Sequence, residues 1–329
     1  MSISLIGGSG FIGTRMASRL RSSGSEFYIL DKQSSASFPD LTKTVDVRSL
    51  DDLRANIEES SLLINLAAEH RDDVRPKSLY DKVNIDGARN ICLVAREKGI
   101  SKIIFTSSVA VYGFAPPDTD ERGNINYFND YGRTKYEAEN IYREWQAESP
   151  DERTLVIVRP TVVFGEGNRG NVYNLLRQIA SGNFLMFGAG NNKKSMAYVE
   201  NVAAFLEYSL SFAPGVHIYN YIDKPDFTMN ELIIKVRETI FHKKGVGLRL
   251  PAKLGLVIGY LADTFSAITR KQLPVSSIRV KKFLATTQFS TSVAATDFIP
   301  PVSLEEGLAR TLRYEFLEDN SEKQIFETE

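Results

Sequence analysis

The sequence predicts an α/β fold: a doubly wound parallel sheet with helices on both faces, followed by a smaller, mostly helical C-terminal lobe. Three observations predict it. Short β-branched runs alternate with longer helical segments as far as Pro160. The first run leads through clustered glycines straight into a helix. After Pro160 the rhythm changes, and from about Thr228 no further strand–glycine–helix unit occurs. Taken in order, Ser4-Leu5-Ile6 is a buried strand and Phe11 to Ser22 a helix. Phe27 to Leu30 is a second strand ending at Asp31, and Thr44-Val45 closes a third at Asp46. Leu62 to Leu66 is the fourth and Lys102 to Phe105 the fifth. Between them, Val83, Ala88, Ile91, Val94 and Ala95 recur at helical spacing within about Ser78 to Lys98. Tyr131 to Ala147 is helical, and Leu155 to Val158 is a sixth strand ended by Arg159-Pro160. Beyond lie a loop (Phe164 to Gly170), a helix (Val172 to Ile179), a glycine turn (Gly188 to Gly190), a strand around Ala197-Tyr198-Val199 and a helix from Asn201 to Leu210.

Composition narrows the function. The 329 residues suffice for about two domains and a large core without disulfides or metals. Forty Lys and Arg against forty-one Asp and Glu leave a net charge of -1, so nothing global argues for nucleic acid or an anionic membrane as partner. One cysteine, Cys92, and three histidines form neither an internal disulfide nor a zinc cluster, so no metal is expected and a reducing, cytoplasmic compartment is. Met1 to Ile6 has no basic stretch before an apolar core, so no signal peptide is expected. The run Leu254 to Ala262 meets Asp263 well short of the roughly 20 residues of a membrane span. It reads as a buried or surface-lying helix, with contact to a membrane surface the lesser alternative. Glu318 to Glu329 is charged and expected to fray.

The first strand ends in Gly7-Gly8-Ser9-Gly10-Phe11-Ile12-Gly13, with glycines spaced Gly-x-x-Gly-x-x-Gly at 7, 10 and 13. The first permits a tight turn, the second lets backbone approach a pyrophosphate, and the third lets helix pack on strand. The helix N-terminus supplies amide donors and a positive dipole end. Asp31 follows about 20 residues later at the end of the second strand, as a dinucleotide site requires. Its carboxylate would accept from the adenosine ribose diol and repel a 2′-phosphate, which favours NAD over NADP, although Lys32 partly offsets the repulsion. Asp46 could reach the adenine amino group, or simply be an exposed strand-end acid.

Tyr131 and Lys135 stand at i and i+4 and project from one helix face. A free phenol, with a pKa near ~10, is a poor base. A nearby ammonium and a positive nicotinamide ring would bring it towards neutrality, so it could take a proton from an alcohol as the nicotinamide takes the hydride. A serine to hold the same oxygen is offered by Thr106-Ser107-Ser108, at the carboxyl end of the fifth strand where open α/β sheets bind ligands.

With these motifs the chain resembles an extended short-chain dehydrogenase/reductase of the nucleotide-sugar epimerase, dehydratase and reductase branch. The resemblance rests also on Asn65-Leu66-Ala67-Ala68, on Val83-Asn84 with Gly87 and Asn90, and on Phe105 to Gly113. Arg159 to Gly165, Tyr198 to Ala203 and Pro301 to Leu308 extend it over roughly residues 1 to 315. It implies a Rossmann-type fold in which Ser108 positions the substrate, Tyr131 is the general acid/base, and Lys135 binds the nicotinamide ribose and lowers the tyrosine pKa. It implies NAD contacts from Gly7, Gly10, Phe11, Ile12, Gly13, Asp31, Lys32, Asp46 and Val47, from Leu66, Ala67, Ala68 and Asn84, and from Ser107, Lys135 and Pro160. Asn84 also reads, as the lesser alternative, as a turn or capping residue.

Family dehydratases carry an Asp-Glu pair where this chain has Val109-Ala110, so a dehydratase is not expected. A 4-epimerase and a 4-keto-sugar reductase remain, acting on a nucleotide sugar, UDP-linked by resemblance, in polysaccharide precursor synthesis. Arg159-Pro160-Thr161 departs from the Arg-Tyr-Phe-Asn usual in galactose epimerases. Substrate candidates are His70, Arg71 and Asp72 after the fourth strand, Asn168, Arg169 and Asn171 after the sixth, Lys194, and Arg279 with Lys282 for a diphosphate; each also reads as loop capping or a solvated charge. Two further readings stand: a 3β-hydroxysteroid-dehydrogenase-like oxidoreductase using the apolar 254–262 run, and a non-catalytic NAD(P) sensor. The resemblance implies a homodimer. The expected division gives residues 1–163 with about 194–227 to the dinucleotide. About 164–193 with 228–318 go to the substrate, and the Tyr198-Val199 strand interleaves with the main sheet.

Overall fold

A strand with no polar side chain facing water must be covered on both faces, and that condition places the centre of the sheet. Strands β1 (Ile3–Ile6), β4 (Leu62–Asn65) and β6 (Thr154–Pro160) are buried at every position. They lie with β2 (Phe27–Asp31), β3 (Thr42–Thr44) and β5 (Lys102–Thr106) in the computed structural model, which describes residues 2–71, 74–269, 277–320 and 322–327, without the side chains of 266–269, 279 and 282. Chain order continues with β7 (Val162–Phe164), β8 (Met186–Phe187), β9 (Lys193–Tyr198), β10 (Gly215–Tyr221), β11 (Asp223–Thr228) and β12 (Arg249–Leu250). The main sheet runs β10-β6-β5-β4-β1-β2-β3, parallel throughout. Its order reverses between β1 and β4, which opens the crevice where such sheets take ligands.

Alternating side chains feed two cores. Leu5, Ile29, Ile64 and Val156 pack under α1 (Phe11–Ser22) and the later helix Val199–Tyr208. Their neighbours Ile6, Leu30, Leu63 and Ile157 pack on the opposite face. That face is covered by α2 (Leu50–Asn56), by a helix running through α3 (Ser78–Tyr80), a π-helical Asp81–Asp86 and α4 (Gly87–Glu97), and by α5 (Asp130–Ala147). Helix α5 starts at an N-cap, Asn129, whose side chain accepts from the Gly132 amide. Then come α6 (Asn171–Ala180), α7 (Val199–Tyr208), α8 (Met229–Phe241), α9 (Ala252–Thr269), α10 (Ser277–Leu284) and α11 (Leu304–Phe316). A third core joins α6, α8 and α11 to a small sheet, β11-β9-β7.

Two expectations fail. The Tyr198 strand does not enter the main sheet: β9 pairs with β7 and β11, and it is β10 that extends the main sheet beyond β6. The terminal residues, as far as 322–327 are described, do not fray. The Phe326 amide donates to the Gly167 carbonyl at 2.8 Å, its carbonyl accepts from the Arg169 amide at 2.9 Å, and its ring packs on Phe11 with centroids 5.5 Å apart. A strand-like bridge and an aromatic contact together outweigh the charge of the segment.

Candidate active site

The crevice is shaped first by missing side chains. Gly7 has φ +75°, and a Cβ there would stand 2.5 Å from the Ala67 amide nitrogen; at Gly13 it would stand 2.5 Å from the Gly8 Cα. The loop after β1 therefore closes against Leu66-Ala67 after β4, with α1 starting directly at Phe11. Asp31 ties in from β2: Oδ2 accepts from the Ser9 amide at 3.0 Å and Oδ1 from the Gln33 amide at 3.0 Å. Its carboxylate is thus fixed beside the glycine turn, with Lys32 exposed next to it. Asp46 instead forms a two-oxygen ion pair with Arg48, which holds its carboxyl below the usual range. Val47 is buried against Gly87.

The catalytic candidates converge on the carboxyl end of β5. Ser108 caps a single helical turn (Val109–Tyr112), its Oγ accepting from the Ala110 amide at 3.1 Å. This turn meets α5 so closely that a Cβ on Gly132 would lie 2.5 Å from the Ala110 carbonyl oxygen. Tyr131 and Lys135 face the same side of α5. Burial pushes the Tyr131 phenol up to about 12, while the Ser108 hydroxyl beside it pulls the other way. Lys135 itself is 2 % exposed, and burial pulls its ammonium down to about 7. Its Nζ lies 4.4 Å from the Phe105 ring centroid and has no hydrogen-bond partner among the described residues. Ser107 Oγ is likewise buried without a partner.

Asn84 stands in the π-helical turn, and its amide is fully engaged. Oδ1 accepts from the Glu69 amide at 2.8 Å, while Nδ2 donates to the Glu69 carbonyl at 3.0 Å and to Thr134 Oγ1 at 2.9 Å. It clamps the loop after β4 to the helix of Tyr131 and Lys135. One turn further along α5, Glu139 pairs with Arg159 at the end of β6. Nε donates to Oε1 at 2.8 Å and Nη2 to Oε2 at 2.5 Å, both side chains being buried. Arg159 Nη1 donates to the Tyr112 hydroxyl at 2.6 Å, which donates on to Asn220 Oδ1 at 2.8 Å. Sequence reasoning did not assign this network; the signal available was Glu139 at i+4 from Lys135.

The substrate candidates divide. His70 follows β4, and burial lowers its imidazole pKa. Arg71 sits 3.8 Å from Glu69 and is largely exposed. Burial lowers Lys194 to about 8, and its Nζ donates to the Ala285 carbonyl at 2.7 Å. Asn168 and Arg169 both have partners within the chain. The Asn168 amide donates to the Val163 carbonyl, while Arg169 pairs with the buried Glu315 and lies over the Tyr173 ring. Pro160 ends β6 buried beside Tyr221. The Arg279 and Lys282 side chains and Asp72 lie outside the described residues. No cluster of three or more potential metal ligands occurs among those described.

A cradle that only glycine permits, a fixed acid at the second strand, and a tyrosine and a buried ammonium on one helix face fit a nicotinamide dinucleotide. Comparison with known proteins agrees. Residues 3–221 match the NAD dependent epimerase/dehydratase family. Over 332 aligned residues the chain is 48% identical to N-acetyl-alpha-D-glucosaminyl-diphospho-ditrans,octacis-undecaprenol 4-epimerase of Escherichia coli O157:H7, covering 100% of this chain and 99% of that one. Among solved structures it resembles UDP-glucose 4-epimerase of Thermotoga maritima with UDP-glucose, at TM-score 0.73 and 21% identity, covering 97% and 100% of the two chains. The Thermus thermophilus UDP-glucose 4-epimerase complex with NAD follows at TM-score 0.70 and 19% identity, covering 95% and 98%. With a match of that extent and a site of this form, the chain belongs to the NAD dependent epimerase/dehydratase family.

Proposed function

We propose that this enzyme inverts C4 of an N-acetylhexosamine carried on a polyprenyl diphosphate. The observation that carries the reading is the end-to-end 48% identity with the undecaprenol-linked 4-epimerase, combined with a complete Ser108–Tyr131–Lys135 set. The loop from Gly7 to Gly13 and Asp31 would hold NAD, Asp31 disfavouring a 2′-phosphate. When bound, NAD supplies the acceptor, and then the donor, of the C4 hydrogen with its two electrons. Ser108 Oγ holds the C4 oxygen, and Tyr131 takes the hydroxyl proton as the alcohol becomes a ketone. After the ketone presents its other face, Tyr131 returns the same proton. Lys135, lacking a hydrogen-bond partner among the described residues, is left for the nicotinamide ribose hydroxyls and steadies the tyrosinate. Val109 and Ala110 offer no acid or base to expel water, so the sugar keeps all its oxygens.

In this reading residues 1–163 with about 194–227 hold the dinucleotide, and most of the remainder to 318 holds the substrate. A homodimer and a cytoplasmic setting belong to it; Cys92 is buried, its thiol pushed up to about 12. A second reading, a UDP-sugar substrate, is favoured by the fold-level likeness to UDP-glucose 4-epimerases. Purified protein incubated with NAD and either synthetic polyprenyl-diphospho-GlcNAc or UDP-GlcNAc decides between them. Mild acid release and chromatography of the sugar should show GalNAc from the lipid-linked substrate. Conversion of UDP-GlcNAc alone would replace the first reading with the second.

A further inference from the structure

The balanced charge of the whole chain conceals one strongly unbalanced segment. Residues 242–282 carry nine lysines and arginines and a single acid, Asp263, in a protein with 40 basic and 41 acidic residues. The same segment exposes its large apolar groups. Seven of the seventeen large hydrophobic side chains exposed among the described residues fall between Leu248 and Ile278, under a tenth of the chain. On α9, Leu254, Val257, Leu261 and Phe265 recur at intervals of three and four and form one stripe, with Leu261 66 % exposed. The opposite side is built of small residues. Gly255 and Gly259 are buried, and a Cβ on Gly255 would stand 2.6 Å from the Phe187 ring. This helix turns glycine inward and leucine outward, the reverse of a helix seated on a soluble core. Lys253, at its start, and Lys281, whose ammonium lies 5.3 Å from the Tyr260 ring centroid, are exposed beside it.

We propose that α9 and α10 form a docking element for the surface of an anionic bilayer, with the α9 stripe lying in the headgroup region and the surrounding cations against lipid phosphates. Apolar area and positive charge combined on one surface helix are what such binding requires. No helix among the described residues is long and apolar enough to cross a membrane, so the element lies on the surface. The chain that follows it reaches β9 and the turn that Ser108 caps. The chain leaving α10 gives its Ala285 carbonyl to Lys194, pairs Thr287 with Ser195, and packs Phe289 against Tyr112. Docking there would bring the site to a diphosphate sugar whose carrier stays in the bilayer, so the purpose assigned to the element rests on the polyprenyl reading of the substrate.

Vesicle co-sedimentation of the full chain tests it. Wild type should sediment with phosphatidylcholine vesicles containing roughly one-third phosphatidylglycerol, and should be released by raised salt. Val257→Glu with Leu261→Glu should weaken sedimentation by about tenfold or more. Both positions lie on the exposed stripe, so the variant should keep wild-type melting and wild-type turnover of a detergent-dispersed, short-chain substrate. Wild type remaining in the supernatant would overturn the proposal, as would equal binding to pure phosphatidylcholine. A drop in oligomer size in the double variant would assign the stripe to a second copy instead. Sedimentation needs no sugar substrate: binding to vesicles with activity only on UDP-GlcNAc would sink the substrate reading, and the converse would sink the docking element.

Discussion

Two buried cations lie one turn apart along α5, Lys135 on the helix and Arg159 on its Glu139, and the protein treats them in opposite ways. Arg159 is saturated: Glu139 takes two of its nitrogens, Tyr112 a third, and the chain continues to Asn220. Lys135 is just as buried and has no hydrogen-bond partner among the described residues, only an aromatic face and the field of Glu139 one turn away. A buried charge with full partners fixes structure. One kept without them costs stability and persists because a ligand uses it. The difference separates the floor of the crevice, which holds the ends of β5 and β6 and α5 in register, from its working edge.

Breaking the floor should have the largest effect. Arg159→Ala leaves Glu139 buried without its main partner and should cost about 3–5 kcal/mol, read from the urea midpoint. A loss under ~1 kcal/mol would erase the contrast. Breaking the edge should leave the fold alone. Tyr131→Phe removes one hydroxyl and should lower turnover by about 10²–10⁴-fold with melting temperature and NAD binding little changed. Lys135→Met is the sharpest case, because its two readouts move in opposite directions. Turnover should fall by at least about 10²-fold, while stability at neutral pH rises by about 1–4 kcal/mol as a desolvated charge is removed.

The pH dependence follows from the same group. The Lys135 pKa is depressed in the folded state to about 7 from 10.5, so between those values the unfolded chain binds more protons. Wild-type stability should therefore climb relative to Lys135→Met as pH rises from about 7 towards 10, and run parallel to it below 7. Parallel curves throughout, in denaturant titrations at stepped pH, would mean that Lys135 is solvated or paired after all.

What the sequence made legible was local. The glycines of the first turn, Asp31 and the Tyr131–Lys135 spacing act within one or two turns of chain, so their pattern reports their geometry directly. The central strands β1, β4, β5 and β6 were visible because burial on both faces demands apolar runs. Edge strand β10 was not: Gly215-Val216-His217-Ile218-Tyr219-Asn220-Tyr221 is only partly buried and carries polar side chains that bond to other segments. Arg159 and Glu139 lie 20 residues apart on different elements, and the Phe326 contact spans almost the whole chain, so no periodicity records either. The apolar run of α9 was readable, but which of its faces meets water was not, since that depends on Gly255 finding Phe187. The upward push on the Tyr131 phenol has the same origin: burial is a property of the assembled crevice.

In the proposed reaction Ser108, Tyr131 and Lys135 serve to oxidise and re-reduce one carbon, and the hydrogen at that carbon reports on both steps. Polyprenyl-diphospho-GlcNAc deuterated at C4 should yield GalNAc that keeps the deuterium at C4, in ordinary water, with wild-type enzyme and NAD. Mass spectrometry of the released sugar reads the result. Product that has exchanged its label for solvent hydrogen would rule out hydride transfer at C4, because the C4 hydrogen would then have left as a proton.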